Sequence, residues 1–266
     1  MNSFFDSHMH TTNSIDGKNS VAEMCKSAYD KGLIGICITD HCDINLRQLH
    51  NDGMKNVDTY NQVQIERKNY NGNFIINSGI ELAQSLFFPE EAARIISLVE
   101  WDFVIGSLHF TSNLMEISDQ DFANFDSIDF LHDYYSSLVK TAEITDYDTL
   151  AHITFPFRYL AKYKVDYNID DFRSYFESIF DILINRSKSL EVNCSGLRQS
   201  IMETFPNTEL IKLYRAMGGR EITISSDAHN IADVGKGVGE TIPVLKKLGF
   251  DYYNVYFNRI PKKFEL

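Results

Sequence analysis

The chain has 266 residues, of which 44% are hydrophobic, and this is enough for one sizeable core. Its formal net charge of −12, with a pI near 5.1, argues against a protein that binds long nucleic acid or a membrane surface. The four cysteines form no C-x-x-C pair, which indicates reduced and mostly buried thiols in a cytoplasmic protein. Because no linker or low-complexity tract interrupts the chain, residues 1–266 are expected to form a single domain.

Short apolar runs alternate with helical stretches along the chain. The pattern predicts strands at 4–10, 34–39, 74–81, 103–108, 148–153, 189–194 and 222–226. It predicts helices at 21–31, 56–70, 89–98, 128–142, 172–187 and 208–217. Ser20 and Glu23 are placed as a capping box for the first helix, and 252–257 is a further strand or a closing segment. About seven strand–helix repeats predict a parallel sheet that closes, or nearly closes, into an α/β barrel.

Rare polar residues fall at the carboxyl ends of these predicted strands, where barrels place functional groups. They include six of the eight histidines and two carboxylates: His8, His10, His41, Glu81, His109, His152, Asp227 and His229. His50 and His132 are interpreted as ordinary surface or helix histidines. Imidazole and carboxylate ligands suit Zn, Mn and Fe. The set is too large for one tetrahedral ion, so two or three divalent metals are predicted.

Clustered metals bridged by a carboxylate usually share a water and lower its pKa, which yields a hydroxide at neutral pH. They also offset charge on phosphoryl oxygens. The predicted reaction is therefore hydrolysis, most naturally of a phosphate ester by a metal-bridging hydroxide. Glu81, Asp227 and His229 are the candidate catalytic residues. Asp227 and a metal-bound water are alternative hypotheses for the proton donor to the leaving group.

Six short motifs occur in one order along the chain: H-M-H at 8–10, T-D-H at 39–41, G-I-E at 79–81, G-S-L-H at 106–109, A-H at 151–152 and S-D-A-H at 226–229. With them the chain resembles the PHP (polymerase and histidinol phosphatase) superfamily. Three further stretches narrow the resemblance to the monofunctional histidinol-phosphatase family: H-I-T-F-P-F-R-Y at 152–159, E-V-N-C-S-G-L-R at 191–198 and G-F-D-Y-Y at 249–253. The resemblance implies a distorted (β/α)7 TIM-like barrel that hydrolyses L-histidinol phosphate in histidine biosynthesis.

The same resemblance implies a trinuclear metal site. One metal would be bound by His8, His10, Glu81 and Asp227. A second would be bound by Glu81, His109 and His152, with Glu81 as the bridge. The third would be bound by Asp16, His41 and His229. Some members of the superfamily have histidine where this chain has Asp16, a harder and more negative ligand, which leaves the identity of the third metal open.

Substrate contacts are less clearly marked in the sequence. A phosphate dianion favours guanidinium groups, and Arg158 and Arg198 both follow strand ends at the active end of the barrel. The alternative for each is a surface ion pair. The polar stretch 42–55 and the acidic stretch 111–129 are candidate loops for covering the substrate. No residue is assigned to the amino group of histidinol.

Three further residues of the sixth predicted strand have alternative interpretations. Glu191 and Asn193 could support metal ligands, but the favoured interpretation is that they are ordinary polar groups of the barrel interior. Cys194 is rejected as a nucleophile because no histidine is predicted to serve as its base.

Two other classes of function stay open. One is the same chemistry on a different substrate, such as a nucleotide, a phosphotyrosine peptide or a nucleic-acid end. The other is a metal-binding regulatory module without catalysis, which the complete set of candidate ligands disfavours.

Overall fold

The structure is a computed structural model, which describes residues 4–44, 53–70, 72–112, 115–122 and 126–266. The strands are β1 (Phe5–Asp6), β2 (Gly35–Ile38), β3 (His41–Asp43), β4 (Ile75–Ala83), β5 (Phe103–Ser107), β6 (Thr149–Leu150), β7 (Ser189–Asn193), β8 (Ile222–Ser225), β9 (Tyr252–Phe257) and β10 (Ile260–Glu265). The α-helices are α1 (Val21–Asp30), α2 (Met54–Tyr70), α3 (Pro89–Ile96), α4 (Ser127–Ile144), α5 (Phe157–Tyr163), α6 (Arg173–Arg186), α7 (Thr208–Ala216) and α8 (Val238–Lys247). Short 3₁₀ turns lie at Ile117–Asp119, Ile169–Phe172 and Ser195–Arg198.

The main sheet is parallel, with the strand order β1-β2-β4-β5-β6-β7-β8, and β3 pairs with the second half of β4. The two edges of this sheet, β1 and β8, are joined by backbone hydrogen bonds that involve the residues after the short β1. Ser7 N donates to Ile224 O (3.2 Å), Asp227 N to His8 O (3.0 Å) and His10 N to Ala228 O (2.8 Å). These bonds bring the residues after β1 and β8 side by side and close the ring. The predicted distorted (β/α)7 barrel is therefore confirmed.

Local sequence signals account for much of this framework. Ser20 and Glu23 form the predicted capping box at the start of α1. The strands on the main path of the parallel sheet are buried along nearly their whole length, as expected where helices cover its outer face. Gly79 on β4 is required by close packing, since a Cβ there would lie 2.7 Å from Thr39 Cγ2 and 2.9 Å from Phe103 O. Only glycine fits this position without displacing a neighbouring strand.

The segment 252–257 does not join the barrel, because β9 pairs antiparallel with β10 as a hairpin. Its residues cover the amino ends of the barrel strands. Tyr253 Oη accepts from Phe5 N (2.9 Å), Tyr256 O accepts from Asn77 Nδ2 (2.7 Å), and Arg259 N donates to Asp102 O. The hairpin closes that end and leaves the carboxyl end of the barrel open.

Helices α5 and α8 were not among the predicted elements, since α5 is short and α8 contains Pro243. Within the described ranges, no helix combines the length and the apolar character that crossing a bilayer requires.

Candidate metal centre

The nine predicted metal ligands lie at the carboxyl ends of the barrel strands. His8 follows β1, His109 follows β5 and Asp227 follows β8, each by two residues. His41 opens β3, and Glu81 lies directly opposite it on β4 in the parallel register. The carboxyl ends of parallel strands share one face of a barrel, so residues distant in sequence converge there.

The first predicted ligand group forms a compact, buried cluster. The Nε2 atoms of His8 and His10 are 3.0 Å apart. Asp227 Oδ1 lies 3.2 Å from His10 Nε2 and 3.8 Å from His8 Nε2. Glu81 Oε2 lies 3.4 Å and 3.6 Å from the same two nitrogens. Donor atoms of His8, His10 and Asp227 all lie within 4.8 Å of one another, which is close enough for one ion.

Glu81 is fully buried at the centre of the site. Its Oε1 lies 2.8 Å from His152 Nε2 and 3.2 Å from His109 Nε2. Its Oε2 lies 2.6 Å from His41 Nδ1. A carboxylate with one oxygen toward each set of imidazoles has the geometry of a bridging ligand.

The third predicted group lies nearer to solvent. Asp16 Oδ2 is 3.1 Å from His229 Nε2, Asp16 Oδ1 is 3.6 Å from His41 Nε2, and the Asp16 side chain is 52% exposed. Donor atoms of His10, His41 and His229 also lie within 4.8 Å of one another. His10 therefore lies between the first and third groups, a proximity that the sequence did not reveal.

The hydrogen bonds around His8 and His10 fit a metal between them. His8 Nδ1 bonds Glu191 Oε1 (2.7 Å), and His10 Nδ1 bonds Ser14 Oγ (3.2 Å), whose own proton goes to Asp40 Oδ1. We therefore assign the protons to both Nδ1 atoms, which turns the two Nε2 lone pairs toward each other at 3.0 Å. Facing lone pairs repel unless a cation lies between them, so the donor set fits a bound metal.

Burial acts to lower the pKa of His8, His41, His109 and His229, but the surrounding carboxylates raise each pKa above its usual value. Without an ion these imidazoles therefore hold protons that a bound metal would replace.

Burial by itself would raise the pKa of Glu81, but His41, His109 and His8 hold that pKa well below its usual range. Burial likewise acts to raise the pKa of Asp227, and His8, His10 and His229 hold it well below its usual range. Burial, together with His41 and His229, lowers the pKa of His10 and keeps its ring neutral. Ionised carboxylates and neutral imidazoles are the forms that bind metals.

Two carboxylates orient the imidazoles of this cluster. Glu191, nearly fully buried, bonds His8 Nδ1 as described and also accepts from His152 N (2.8 Å). The favoured interpretation of Glu191 as an ordinary interior polar group is therefore wrong. Asp43 Oδ1 lies 2.7 Å from His109 Nδ1, a partner that the sequence analysis did not identify. The signal was available in D-H-C-D, where an acid follows a predicted ligand histidine by two residues on β3.

Two further buried aspartates hold the segments that carry the ligands. Asp6 accepts from Ser226 N (2.8 Å) and Gly235 N (2.9 Å) and so fixes the chain on both sides of Asp227. Asp40 accepts from Thr11 N and Ser14 Oγ and fixes the loop after His10. Asp227 itself has φ of 52°, a left-handed conformation that such surrounding bonds must maintain.

A cleft of about 1070 Å³ opens above the cluster, and both predicted arginines line it. The Arg158 guanidinium lies over the rings of Phe155 (5.1 Å) and Tyr159 (4.7 Å), and its Nη2 donates to Tyr159 Oη (2.6 Å). Among the described residues, no carboxylate oxygen lies within 4 Å of Arg158. A cleft arginine held by aromatic rings, with no acidic partner, is available to an anion.

Arg198 is more fully engaged than Arg158. Its Nη2 donates to Ser226 O (2.8 Å), and its Nε lies 3.7 Å from Asp233 Oδ1. Its guanidinium therefore braces the strand end that carries Asp227, while its side chain still borders the cleft.

The remaining predictions concern Cys194, the two stretches that were expected to cover the substrate, and the two histidines outside the cluster. Cys194 is fully buried, and burial raises the pKa of its thiol to about 12, consistent with its rejection as a nucleophile. From the predicted covering stretches 42–55 and 111–129, residues such as Asp43, Lys55 and Glu116 line the cleft. Residues 45–52, which include His50, and residues 113–114 and 123–125 lie outside the described part of the chain. His132 is on helix α4, as predicted, with its ring near Tyr175.

This barrel, with its histidine and carboxylate cluster at the carboxyl end, has the architecture of a metal-dependent hydrolase. The chain belongs to the PHP domain family, whose model matches residues 6–195. The resemblance derived from the short motifs is therefore confirmed.

Individual relatives match most of the chain. It is 29% identical over 253 residues to a protein of Thermotoga maritima named "Probable histidinol-phosphatase", and the match covers 94% of each chain. It is 25% identical over 259 residues to a Lactococcus lactis protein named "Histidinol-phosphatase", with 92% of this chain and 91% of the relative covered.

Among solved structures, the fold is similar to that of histidinol phosphate phosphatase from Lactococcus lactis, crystallised with zinc, L-histidinol and phosphate. The TM-score is 0.82 at 22% sequence identity, and the match covers 98% of this chain and 100% of the other.

Proposed function

We propose that the protein is a metal-dependent phosphomonoesterase that hydrolyses L-histidinol phosphate to L-histidinol and phosphate. The observation that carries the proposal is the cluster in which Glu81 joins two sets of imidazoles, beneath a cleft lined by an arginine that has no carboxylate partner among the described residues. The curated relatives named as histidinol-phosphatases align along nearly the whole chain, which favours this substrate over other phosphomonoesters. The aligned length also supports one domain over residues 1–266.

We infer two to three divalent metals, held as the resemblance implies: His8, His10, Glu81 and Asp227 for one, Glu81, His109 and His152 for another, and Asp16, His41 and His229 for the third. Zn, Mn and Fe all accept these ligands, so the choice among them depends on availability as well as geometry. Bound in this position, such metals would acidify a water and offset negative charge on phosphate oxygens.

The chain's own groups have defined tasks in this mechanism. Arg158, held over Phe155 and Tyr159, would bind non-bridging phosphate oxygens as a guanidinium fork. Arg198 would contribute a second contact, while its bonds to Ser226 O and Asp233 keep the end of β8 in place. Glu81, Asp227 and His229 are proposed as catalytic residues because, as metal ligands, they would hold the metals in place beside the water and the phosphate group.

The proton for the leaving alkoxide is better supplied by water than by Asp227. Neighbouring imidazoles hold the pKa of Asp227 well below its usual range, so its carboxyl is ionised at neutral pH. A pH–rate profile of Asp227→Asn tests this assignment, since loss of the basic limb would return Asp227 to the role of acid.

The direct test is phosphate release from L-histidinol phosphate by purified, metal-loaded protein, beside a panel of nucleotides, phosphotyrosine and simple monoesters. Strong preference for L-histidinol phosphate is the expected result. Turnover confined to another ester would keep the phosphatase chemistry and refute the substrate. Tight metal uptake with no hydrolysis of any ester would support a binding module instead.

A further inference from the structure

An aromatic side chain outside the cleft contacts the ring that supports Arg158. Phe122 is only 1% exposed and is not part of the cleft lining. Its ring stacks on the ring of Tyr159, with a centroid distance of 5.4 Å and an interplanar angle of 7°. The Arg158 guanidinium carbon lies 4.7 Å from the centroid of the same Tyr159 ring. Tyr159 therefore joins a residue outside the cleft to a proposed phosphate contact.

The ring of Phe122 is held by two helices. On α5 it also lies 6.3 Å from the ring of Tyr163, at an angle of 25°. On α4 it meets the ring of Phe130 edge-on at 5.6 Å, and Ser127 Oγ donates to the backbone carbonyl of Phe122 (2.8 Å). Because its ring and its backbone are both fixed, Phe122 offers Tyr159 a surface of defined position.

Arg158 depends on aromatic support because it lacks an acidic partner. Among the described residues, no carboxylate oxygen lies within 4 Å of its guanidinium, which donates to Tyr159 Oη (2.6 Å) and lies over the Tyr159 and Phe155 rings. Arg198, by contrast, is held by a backbone carbonyl and by Asp233. A long arginine side chain loses rotamer freedom when it binds an anion. A support that sets its position beforehand therefore strengthens anion binding without contacting the anion.

We propose that Phe122 is a positioning residue for the phosphate contact of Arg158 and acts through the ring of Tyr159. The inference rests on the proposed phosphatase function and adds to it a residue that lies outside the cleft. Stacking on Phe122 keeps the Tyr159 ring in one orientation, together with the hydroxyl that accepts from Arg158. Without the Phe122 ring, Tyr159 and Arg158 would sample further rotamers, and phosphate would bind more weakly because one arrangement must be selected from several.

The test combines Phe122→Leu with Arg158→Met in a double-mutant cycle. Calorimetric titration of inorganic phosphate into metal-loaded protein should show about 3- to 10-fold weaker binding by Phe122→Leu, the range expected when one aromatic contact is lost. In the Arg158→Met background, the same substitution should change phosphate affinity by less than about 2-fold, because Phe122 acts through Arg158. With L-histidinol phosphate as substrate, the loss in Phe122→Leu should appear mainly in KM, with kcat nearly unchanged.

Phe180→Leu is the matched control for lost packing. Phe180 is fully buried on α6, outside the cleft lining, and its ring packs against that of Tyr214 at 5.2 Å. Both leucine variants should lower the melting temperature, but only Phe122→Leu should weaken phosphate binding. Equal weakening in the two variants, or an equal effect of Phe122→Leu with and without Arg158, would overturn the proposal. If Phe122→Leu does not fold, Phe122→Met takes its place in the cycle.

Phosphate affinity separates this inference from the proposed function, because its measurement needs no turnover. If the protein hydrolyses another ester, or none, a loss of phosphate affinity in Phe122→Leu that disappears in the Arg158→Met background still supports the inference. If Arg158→Met binds phosphate as tightly as the wild type, or if the wild type binds no phosphate, Phe122 has no phosphate contact to position. Either result refutes the inference, whatever the enzyme hydrolyses.

Discussion

Glu191 is not itself a proposed metal ligand, but it orients one, His8. Replacing Glu191 with glutamine should therefore impair metal binding by His8. Glu191 Oε1 accepts from His8 Nδ1 (2.7 Å) and Ser225 Oγ (2.7 Å). Its Oε2 accepts from His152 N (2.8 Å) and Asn193 Nδ2 (3.2 Å). Four donors therefore meet two oxygens in a site with almost no solvent exposure. Glutamine keeps one oxygen and introduces an NH₂ group, so one pair of donors must lose its acceptor.

The surrounding bonds decide which pair that is. The backbone N–H of His152 can only donate, so the glutamine oxygen should occupy the Oε2 position in Glu191→Gln. The NH₂ group then faces His8 Nδ1, which can accept only after its proton moves to Nε2. That nitrogen points toward His10 Nε2 (3.0 Å) and Glu81 Oε2 (3.4 Å), and in the protonated form it cannot bind a metal.

We expect Glu191→Gln to bind the metal of the first group about 10- to 100-fold more weakly, as is typical when the partner of a ligand histidine is altered. Metal content after dialysis against a weak chelator, measured together with kcat/KM, checks the prediction. Ser225→Ala is the matched control, because it removes the other donor to Oε1 and leaves the His8 proton in place. Full metal content in Glu191→Gln, or equal losses in both variants, would refute the tautomer argument.

Three further predictions concern other parts of the molecule. Arg158→Met should lower kcat/KM for phosphomonoesters about 10²-fold with little change in melting temperature, because it removes a charged phosphate contact and keeps the stem; unchanged kinetics would contradict the phosphate role. Gly79→Ala should lower the free energy of unfolding by about 1–3 kcal/mol in urea titrations, because its Cβ meets Thr39 at 2.7 Å, whereas wild-type stability would mean that β4 can shift. Hydrogen bonds from Arg259 lower the pKa of Asp146, so their contribution to stability is present at neutral pH and is lost as pH falls through that lowered pKa. The difference in melting temperature between wild type and Arg259→Met should therefore narrow below about pH 4, and a constant difference would exclude this linkage.

Much of the fold was predictable because its signals are local. Apolar runs, the capping box at Ser20 and regular strand–helix alternation depend only on neighbouring residues, and they predicted the parallel barrel. The strand at 252–257 was predicted and is confirmed, but its pairing with β10 was not predictable, because the hairpin is stabilised by contacts such as Tyr253 with Phe5, 248 residues apart. Helix α8 was missed because Pro243 within it resembles a breaker.

The candidate ligands could be found from sequence because a parallel barrel places the ends of all its strands at one face, whatever their separation along the chain. The supporting network could not be found in this way. Glu191 reaches His8 across 183 residues, and only the closed ring decides which imidazole that carboxylate meets and which nitrogen keeps its lone pair. The sequence by itself thus determined the barrel and the chemical type of its site. The tertiary structure decided the orientation of the predicted ligands and the partners of the two arginines, since these depend on side-chain contacts between distant strands.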